Sequence, residues 1–343
     1  MHPLGSAPVD PPPLLLMQPL SPQGLVLRID AKVCHVEVEG ERRQLPLAGK
    51  LFEQRSHERR PLAVGDRVVL DATGKAIDSV LPRSSQLHRR AAAEGEEQAQ
   101  VLAANITHVL AVASVSAPPF QPELVDGVLA AAARERIPCT LVLSKVDLDA
   151  ELAAKWARVY AQSGARVLAT CTVPGHTTPE TLHEVEQLLR QNRSVVIGLS
   201  GAGKSSLLNA IVPGITLRIG DLNHIRQGRH TTTHTELIPL PGGGHVLDTP
   251  GIRNFHLFCV GSQELQFLFL EIAARLPQCE YRSCLHDGEA NCAVKAALAK
   301  GEIGESRYRS YRTMLVNALA SERPGQAQQT PVRGGGRRRP RAR

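Results

Sequence analysis

Short stretches of alternating apolar and polar residues follow one another in the first quarter of the chain. They are GLVLRI from Gly24, CHVEVEG from Cys34, VGDRVVLD from Val64 and AIDSVLP from Ala76. Alternation with a period of two residues is typical of half-buried strands, and several such strands in close succession indicate a small barrel or sandwich. We therefore predict an all-β, OB-type barrel at residues 21–88. The Pro-rich residues 1–20 show no periodicity and are expected to form a flexible lead.

A different pattern begins after a polar, irregular stretch between Arg83 and Gln100, which we interpret as a linker. Apolar runs alternate with amphipathic helical stretches, in the order THVLAVASV, ELVDGVLAAAARERI, PCTLVLSKVD, LAAKWARVYAQSG, ARVLATC, ETLHEVEQLLRQN and RSVVIGLSG. This alternation is typical of a parallel, doubly wound sheet, so residues 95–257 are predicted to form an α/β domain. Helical patterns around SQELQFLFLEIAARL and from Tyr308 to Leu319 predict a C-terminal helical domain at residues 258–322.

The segment GLSGAGKS at residues 198–205 matches the phosphate-binding pattern G-x-x-x-x-G-K-[ST] and lies between a strand and a helix, as that pattern requires. Its backbone amides and the helix N-terminus can surround the α- and β-phosphates of a nucleotide. Lys204 would reach the β- and γ-phosphates, and the Ser205 hydroxyl would ligate Mg²⁺. The predicted phosphate-binding residues are Gly198, Leu199, Ser200, Gly201, Ala202, Gly203, Lys204, Ser205 and Ser206.

Residues 248–251, DTPG, follow an apolar strand and are expected to sense the γ-phosphate. Asp248 can hold Mg²⁺ through water, and the amide of Gly251 can contact the γ-phosphate. Upstream, the segment GRHTTTHTE offers hydroxyls to the metal; Thr233 is our choice for the switch threonine, and Thr232 comes next.

The segment SKVD stands at the end of another apolar strand. The Asp147 carboxylate can accept hydrogen bonds from N1 and N2 of guanine, which adenine does not offer, and a carboxylate left unpaired by the wrong base carries a penalty. Lys145 would lie along the base and brace the phosphate loop. The predicted guanine-binding residues are therefore Ser144, Lys145, Val146 and Asp147. This segment favours a GTPase over an ATP-dependent kinase.

Three cysteines and a histidine lie close together near the C-terminal end of the chain: Cys279, Cys284, His286 and Cys292. Three thiolates and one imidazole form a closed tetrahedral set, which suits one structural Zn²⁺ and leaves no open position for catalysis. The alternative is a group of buried free cysteines, but Asp287, Gly288 and Asn291 between the ligands are typical of a loop.

The guanine segment precedes the phosphate loop, which precedes the switch threonines and DTPG. In ordinary GTPases the guanine motif comes last, so this domain has the order of a circularly permuted GTPase. Together, the barrel, the permuted GTPase and the Cys/His cluster resemble the RsgA (YjeQ) family of ribosome small subunit-dependent GTPases over roughly residues 20–320, and GRHTTTHTELIPLPGGGHVLDTPG is very like its switch region. The family usually has Asn where Ser144 stands and Gln where Leu199 stands. Either departure can alter nucleotide affinity.

The resemblance implies a weak GTPase that acts late in assembly of the small (30S) ribosomal subunit, contacts its 16S rRNA and is stimulated by it. Ile252 follows DTPG where many GTPases have a water-positioning Gln, so intrinsic turnover is expected to be slow. The family suggests His230 as a substitute, and the alternative for His230 is a solvent-facing loop histidine. Lys204 and Thr233, taken from the motifs above, are the other candidate catalytic residues. By similarity, the base-side loop would fall near Thr170 and Cys171.

The 343 residues carry a formal charge of +7, partly in an Arg-rich tail at residues 323–343 that cannot bury apolar surface and is expected to be disordered. Aromatic residues make up 3% of the chain, so RNA binding would rest on charge. A basic face on the barrel is expected from Arg42, Arg43, Arg55, Arg59, Arg60, Arg67 and Arg83. The alternative is a barrel that does not contact RNA and only holds other parts of the protein apart.

The apolar run Leu14–Met17 is too short for a signal peptide or a membrane span, so we expect a cytoplasmic protein without a membrane partner. We also expect a monomer. The leading interpretation is a zinc-containing GTPase that binds GTP with Mg²⁺, releases GDP and acts on the 30S subunit. The alternative is an RNA-binding assembly platform that binds GTP as a switch with little hydrolysis.

Overall fold

The computed structural model describes most of the chain between Pro22 and Glu322. The described ranges are 22–30, 33–46, 62–90, 99–174, 176, 178–212, 235–248 and 260–322. Within these ranges, every helix is too short or too polar to cross a lipid bilayer.

Antiparallel strands form the N-terminal unit. They are β1 (Gln23–Ile29), β2 (Val33–Val38), β3 (Glu41–Pro46), β4 (Arg67–Leu70) and β5 (Ile77–Val80). Strand β1 pairs with β2 and β4, while β3 extends the sheet beyond β2 and β5 pairs with β4. Val26, Val36 and Val68 are completely buried in a common core. The all-β prediction for this part of the chain is confirmed.

One arginine assigned to the basic face has a different role. The guanidinium of Arg83 donates to both carboxylate oxygens of Asp66, at 2.7 and 3.0 Å, and the two side chains are 10% and 0% exposed. Asp66 also accepts a hydrogen bond from the amide of Ala63. Because an unpaired buried charge is costly, Arg83 is needed to neutralise Asp66 and is not part of an exposed basic surface. Three other arginines that were assigned to the basic face lie outside the described residues: Arg55, Arg59 and Arg60.

Part of the stretch between Arg83 and Gln100 forms strands and is not the irregular linker expected from the sequence, while residues 91–98 lie outside the described residues. The chain there contains β6 (Gln86–Arg90) and β7 (Ala99–Ala104), which pair with each other in an antiparallel two-stranded sheet. Leu87 on β6 and Ala103 on β7 are buried in the core of the α/β unit that follows. The barrel is therefore joined to the α/β unit by paired strands.

The α/β unit is built on parallel strands in the spatial order β10-β9-β8-β11-β13. These are β8 (His108–Ser114), β9 (Cys139–Ser144), β10 (Arg166–Thr170), β11 (Arg193–Ile197) and β13 (His245–Asp248). Helices pack on both faces: α1 (Pro122–Arg134) and α2 (Ala150–Gln162) on one, α3 (Pro179–Gln191) and α4 (Lys204–Ile211) on the other. The predicted doubly wound sheet is confirmed, and its parallel strands bring their carboxyl ends to one edge.

The sheet of the barrel and the parallel sheet are continuous through β12 (Glu236–Pro239). This strand is antiparallel to β13 and pairs with β1 of the barrel at Arg28. The Glu236 carboxylate lies 2.8 Å from the Arg42 guanidinium and 3.7 Å from that of Arg28. A second contact joins His245 Nε2 and the Glu37 carboxylate at 2.9 Å. Since β12 and β13 lie between the predicted switch segments, the barrel contacts the hairpin that connects those segments.

The C-terminal unit is helical, as predicted, but SQELQFLFLEIAARL does not form one helix. It contains α5 (Ser262–Leu265) and α6 (Leu270–Ala273), with 3-10 turns at Gln266–Leu268 and Leu276–Gln278. Phe269 interrupts the helix with an extended backbone, and its buried ring packs edge-on against Tyr311. Two longer helices follow, α7 (Ala293–Ala299) and α8 (Glu305–Glu322).

A buried ion network fixes α8 on the α/β unit. Arg307 of α8 donates to Asp126 of α1 at 2.6 Å and to both carboxylate oxygens of Glu271 at 2.7 and 3.1 Å. All three side chains are at most 4% exposed. Burial lowers the pKa of Arg307, but the two carboxylates raise it by more, so its pKa lies above the ordinary value and the group stays charged.

Candidate functional site

The predicted phosphate loop lies between β11 and α4, at the carboxyl edge of the parallel sheet. Gly198 is required by close packing, because a Cβ atom there would lie 2.0 Å from the carbonyl oxygen of Val112. Gly203 is required by its backbone, since its φ of +88° is unfavourable for residues with a side chain. The local glycine pattern therefore has a steric cause, and the loop leads directly into the N-terminus of α4.

Lys204 is the first residue of α4, and its side chain folds back over the loop. Its ammonium group donates to the carbonyl oxygens of Gly198 and Leu199, at 2.8 and 2.6 Å. The residue is only 7% exposed. A positive charge is thus held inside the loop, next to the positive end of the helix dipole, which is an arrangement that attracts anions.

The predicted guanine segment meets the phosphate loop directly. Ser144 ends β9, is buried, and its hydroxyl donates to the carbonyl oxygen of Ala202 at 2.6 Å. Lys145 has a left-handed backbone with φ +57°, and Val146–Leu148 form a 3-10 turn that leaves Asp147 exposed. The structure therefore brings the guanine segment and the phosphate loop together, although 58 positions separate Ser144 from Ala202.

A loop that no sequence motif indicated supports the guanine segment. The ammonium group of Lys145 donates to the carbonyl oxygen of Ala117, at 2.6 Å, in the loop between β8 and α1. Phe120 of the same loop stacks on Trp156 of α2, with ring centroids 4.3 Å apart. The sequence held little signal for this role, because the acceptor is a backbone carbonyl and any residue could supply it.

The predicted base-side loop lies beside Asp147. Thr170 ends β10 and is paired in register with Ser144, and the buried Cys171 follows it. Burial raises the pKa of the Cys171 thiol, and its hydrogen bond with the Asp147 carboxylate raises it further. The similarity-based placement near Thr170 and Cys171 thus corresponds to a loop in contact with the acid expected to recognise guanine.

The structure describes only part of the region that is expected to contact the γ-phosphate. Asp248 is the last residue of β13, and β13 runs parallel to β11 with Leu247 opposite Val195. Its backbone therefore reaches the same edge of the sheet as the phosphate loop. Several predicted residues lie outside the described residues: His230, Thr232, Thr233, Gly251 and Ile252.

The four predicted metal ligands converge. One donor atom from each of Cys279, Cys284, His286 and Cys292 lies within 4.8 Å of the others. His286 Nδ1 is 3.3 Å from the Cys292 sulfur, and burial lowers the pKa of this imidazole, so it is neutral near pH 7. In a tetrahedral zinc site with Zn–S distances of about 2.3 Å, the sulfur atoms are roughly 3.8 Å apart. The donor set and its spacing fit a structural zinc ion.

Comparisons with known proteins agree with this architecture. The family model described as RsgA GTPase matches residues 80–258. A small ribosomal subunit biogenesis GTPase RsgA from Chlorobaculum tepidum is 36% identical over 266 residues, covering 74% of this chain and 84% of the relative. A protein of the same name from Moorella thermoacetica is 35% identical over 305 residues, covering 88% of this chain and 99% of the relative.

Two solved structures share the fold. YjeQ from Thermotoga maritima has a TM-score of 0.70 and 32% identity, over 88% of this chain and 99% of that one. YloQ, described as a circularly permuted GTPase, has a TM-score of 0.67 and 25% identity, over 90% of this chain and 98% of that one. On the combined evidence of sequence and fold, the chain belongs to the RsgA family of circularly permuted GTPases and is a GTP-hydrolysing enzyme.

Proposed function

We propose that this GTPase acts in the maturation of the small ribosomal subunit, binding the 30S particle through its 16S rRNA and hydrolysing GTP to GDP and phosphate there. The observation that carries the proposal is the match over nearly the whole length of a Moorella thermoacetica relative that is named a small ribosomal subunit biogenesis GTPase. The exposed arginines of the barrel, such as Arg67, offer charge for contact with the RNA backbone.

In the proposed nucleotide site, residues Gly198 to Ser206 surround the phosphates and Lys204 stabilises negative charge on the β- and γ-phosphates. Asp147 recognises guanine, with Lys145 along the base and Val146 in the same turn. Ser205, Thr233 and Asp248 would hold Mg²⁺, which neutralises phosphate charge when bound, and Gly251 would contact the γ-phosphate. His230 would orient the attacking water. The contact between Ser144 and Ala202 supports this assignment because it joins the base side of the site to the phosphate side.

The proposal is tested by measuring GTP hydrolysis with and without purified small subunits. We expect the subunits to accelerate hydrolysis, and we expect Lys204→Ala to reduce the stimulated rate by about 100-fold or more, since it removes a charge that stabilises the transition state. Lys295→Ala, which changes an exposed lysine on α7, is the matched control and should retain stimulation. A wild-type protein that binds GTP but is not accelerated would contradict the proposal and favour a platform that rarely hydrolyses GTP.

Guanine recognition is tested separately with Asp147→Asn. The amide cannot accept both hydrogen bonds from guanine, so affinity for GDP should fall roughly 10- to 100-fold, as expected for the loss of hydrogen bonds to a charged group. Xanthosine diphosphate, whose extra carbonyl can accept from the amide, should bind relatively better. Glu151→Gln, an exposed acid on α2, should leave both affinities unchanged. An unaltered preference for guanine in Asp147→Asn would remove Asp147 from the base site.

We also propose that Cys279, Cys284, His286 and Cys292 hold one structural zinc ion. The clustering of their donor atoms and the closed Cys₃His set support this assignment. Metal content measured on purified protein should give one zinc per chain, and Cys292→Ser should lower it.

A further inference from the structure

The orientation of the His286 ring distinguishes its two nitrogen atoms. Nδ1 faces the sulfur atoms of Cys292 and Cys279, at 3.3 and 3.7 Å. Nε2 points away from the thiols and lies 3.1 Å from Oε1 of Gln266. His286 is completely buried and Gln266 is 4% exposed. The side chain of Gln266 is therefore the close polar partner of the nitrogen that does not face the thiols.

The orientation of the Gln266 amide is fixed by a second contact. Its Nε2 donates to the backbone carbonyl oxygen of Gln263 at 2.9 Å. If the amide were turned over, its oxygen would face that carbonyl oxygen and its NH₂ group would face His286. Two acceptors would then be opposed, which is unfavourable in a buried place. Gln266 thus presents its oxygen, an acceptor, to the imidazole.

An acceptor at this position requires a proton on Nε2 of His286. The neutral imidazole carries only one proton, so the lone pair lies on Nδ1, directed at the sulfur atoms. A hydrogen bond to the distal nitrogen fixes the tautomer and ring orientation of a ligating histidine, and it increases the basicity of the ligating nitrogen.

We propose that Gln266 is a positioning residue for the metal site, which holds His286 in the Nε2–H form so that Nδ1 is the ligating atom. This inference rests on the proposed zinc site and adds the identity of the ligating nitrogen and of the residue that selects it. Gln266 lies in the 3-10 turn between α5 and α6 of the C-terminal unit, and that turn packs against α1 of the α/β unit. The residue that orients the ligand is therefore anchored at the boundary between the two units.

The loop backbone has separate supports. Tyr308 donates from its hydroxyl to the carbonyl oxygen of His286 at 2.6 Å, and the Glu289 carboxylate accepts from the amides of Leu285 and Asp287 at 2.6 and 2.9 Å. These bonds hold the main chain of the loop and leave the ring nitrogens untouched. Tyr308→Phe is therefore a matched control, because it loses one buried hydrogen bond to His286 without altering the partner of Nε2.

The test uses the full-length protein with ¹⁵N-labelled histidine and cadmium-113 in place of zinc, since only a ligating nitrogen shows coupling to the metal. The wild type is expected to show coupling at Nδ1 and a proton on Nε2. Zinc affinity, measured by competition with a chelator, should fall about 10- to 100-fold in Gln266→Met, which has similar size but offers only a weakly accepting thioether sulfur. Gln266→Glu keeps an acceptor for Nε2 but loses the hydrogen bond to Gln263, so it should bind zinc more tightly than Gln266→Met. Tyr308→Phe should bind within a few-fold of the wild type.

Coupling at Nε2 in the wild type would overturn the proposal. Equal zinc affinity in Gln266→Met and Gln266→Glu would also overturn it, as would an equal loss in Gln266→Met and Tyr308→Phe, which would indicate a general packing role. A wild-type protein that binds neither metal would instead refute the zinc site itself, so the two failures are distinguishable.

Discussion

At the scale of single residues, Ser144 shows how one short side chain can join two distant segments of the chain. Its hydroxyl reaches the carbonyl oxygen of Ala202 and ties the guanine segment to the phosphate loop. The sequence identified Ser144 as a departure that could alter nucleotide affinity. It could not predict the bond, because the acceptor belongs to the backbone of a loop whose path depends on the packing of Gly198 against Val112.

We expect Ser144→Ala to weaken binding of both GDP and GTP by about 2- to 10-fold, the effect of losing one net hydrogen bond of roughly 0.5–1.5 kcal/mol. Nucleotide dissociation constants measured by calorimetry check this. Ser163→Ala is the control, because Ser163 is also buried and donates to a carbonyl, that of Tyr160 at 2.7 Å, away from the phosphate loop. If both variants bound nucleotide as the wild type does, the Ser144 contact would not support the site.

At the scale of helices and strands, the sequence predicted those elements whose apolar and polar residues alternate in a pattern within the element itself. The apolar runs and amphipathic stretches identified the parallel strands and their helices. Prediction failed for β6, whose sequence QLHRR is mostly polar and whose strand character depends on pairing with β7. It failed also for Arg83, whose ion pair with Asp66 spans 17 positions. Such partners are set by tertiary structure, and a local pattern does not contain them.

The parallel sheet contains a buried histidine that should make stability depend on pH. His108 of β8 lies 3.0 Å from the Thr140 hydroxyl, and burial lowers its pKa, with a smaller effect from Arg166 in the same direction. As pH falls below the ordinary value of 6.5, the unfolded chain takes up a proton before the folded chain does. The free energy of unfolding should therefore fall with decreasing pH in this window, and the full contribution of neutral His108 is present above it.

Denaturant unfolding at several pH values from about 7.5 to about 5, a range that spans the ordinary pKa of histidine, would measure this dependence. His108→Gln should flatten the slope, and the difference cannot exceed about 1.4 kcal/mol per pH unit for one group. His176→Gln, which changes an exposed histidine, is the matched control and should leave the slope unchanged. A slope that is identical in all three proteins would show that His108 does not titrate differently on folding.

At the scale of the whole molecule, the sequence predicted which units the chain contains but not how they contact each other. The barrel contacts the α/β unit through Glu236, and the C-terminal helices contact it through Arg307. Arg307 and Asp126 are 181 positions apart, and both would be read from the sequence as ordinary surface charges on helices. Only the packing of α8 on α1 makes the pair buried, so no sequence pattern indicates it.

We expect Arg307→Met to lower the free energy of unfolding by about 3–5 kcal/mol, because it leaves the buried carboxylates of Asp126 and Glu271 without their cation. Circular dichroism during denaturant titration measures the change. Arg309→Met is the matched control: Arg309 is on the same helix, is 67% exposed and pairs with Glu305, so its loss should cost less than about 1 kcal/mol. Equal effects of the two substitutions would argue against the ion network as the main attachment of α8.

Because Trp156 stacks on Phe120, its fluorescence should be sensitive to the position of the loop that contains Phe120. The chain contains one tryptophan, so all indole fluorescence arises from this ring. Phe120 lies three residues after Ala117, whose carbonyl oxygen holds the ammonium group of Lys145. If a bound purine draws Lys145 away from that carbonyl, as the proposed site requires, the loop that contains Phe120 would lose a contact and the surroundings of the indole would change. We therefore expect loading and exchange of guanine nucleotides to change the fluorescence of the unlabelled enzyme.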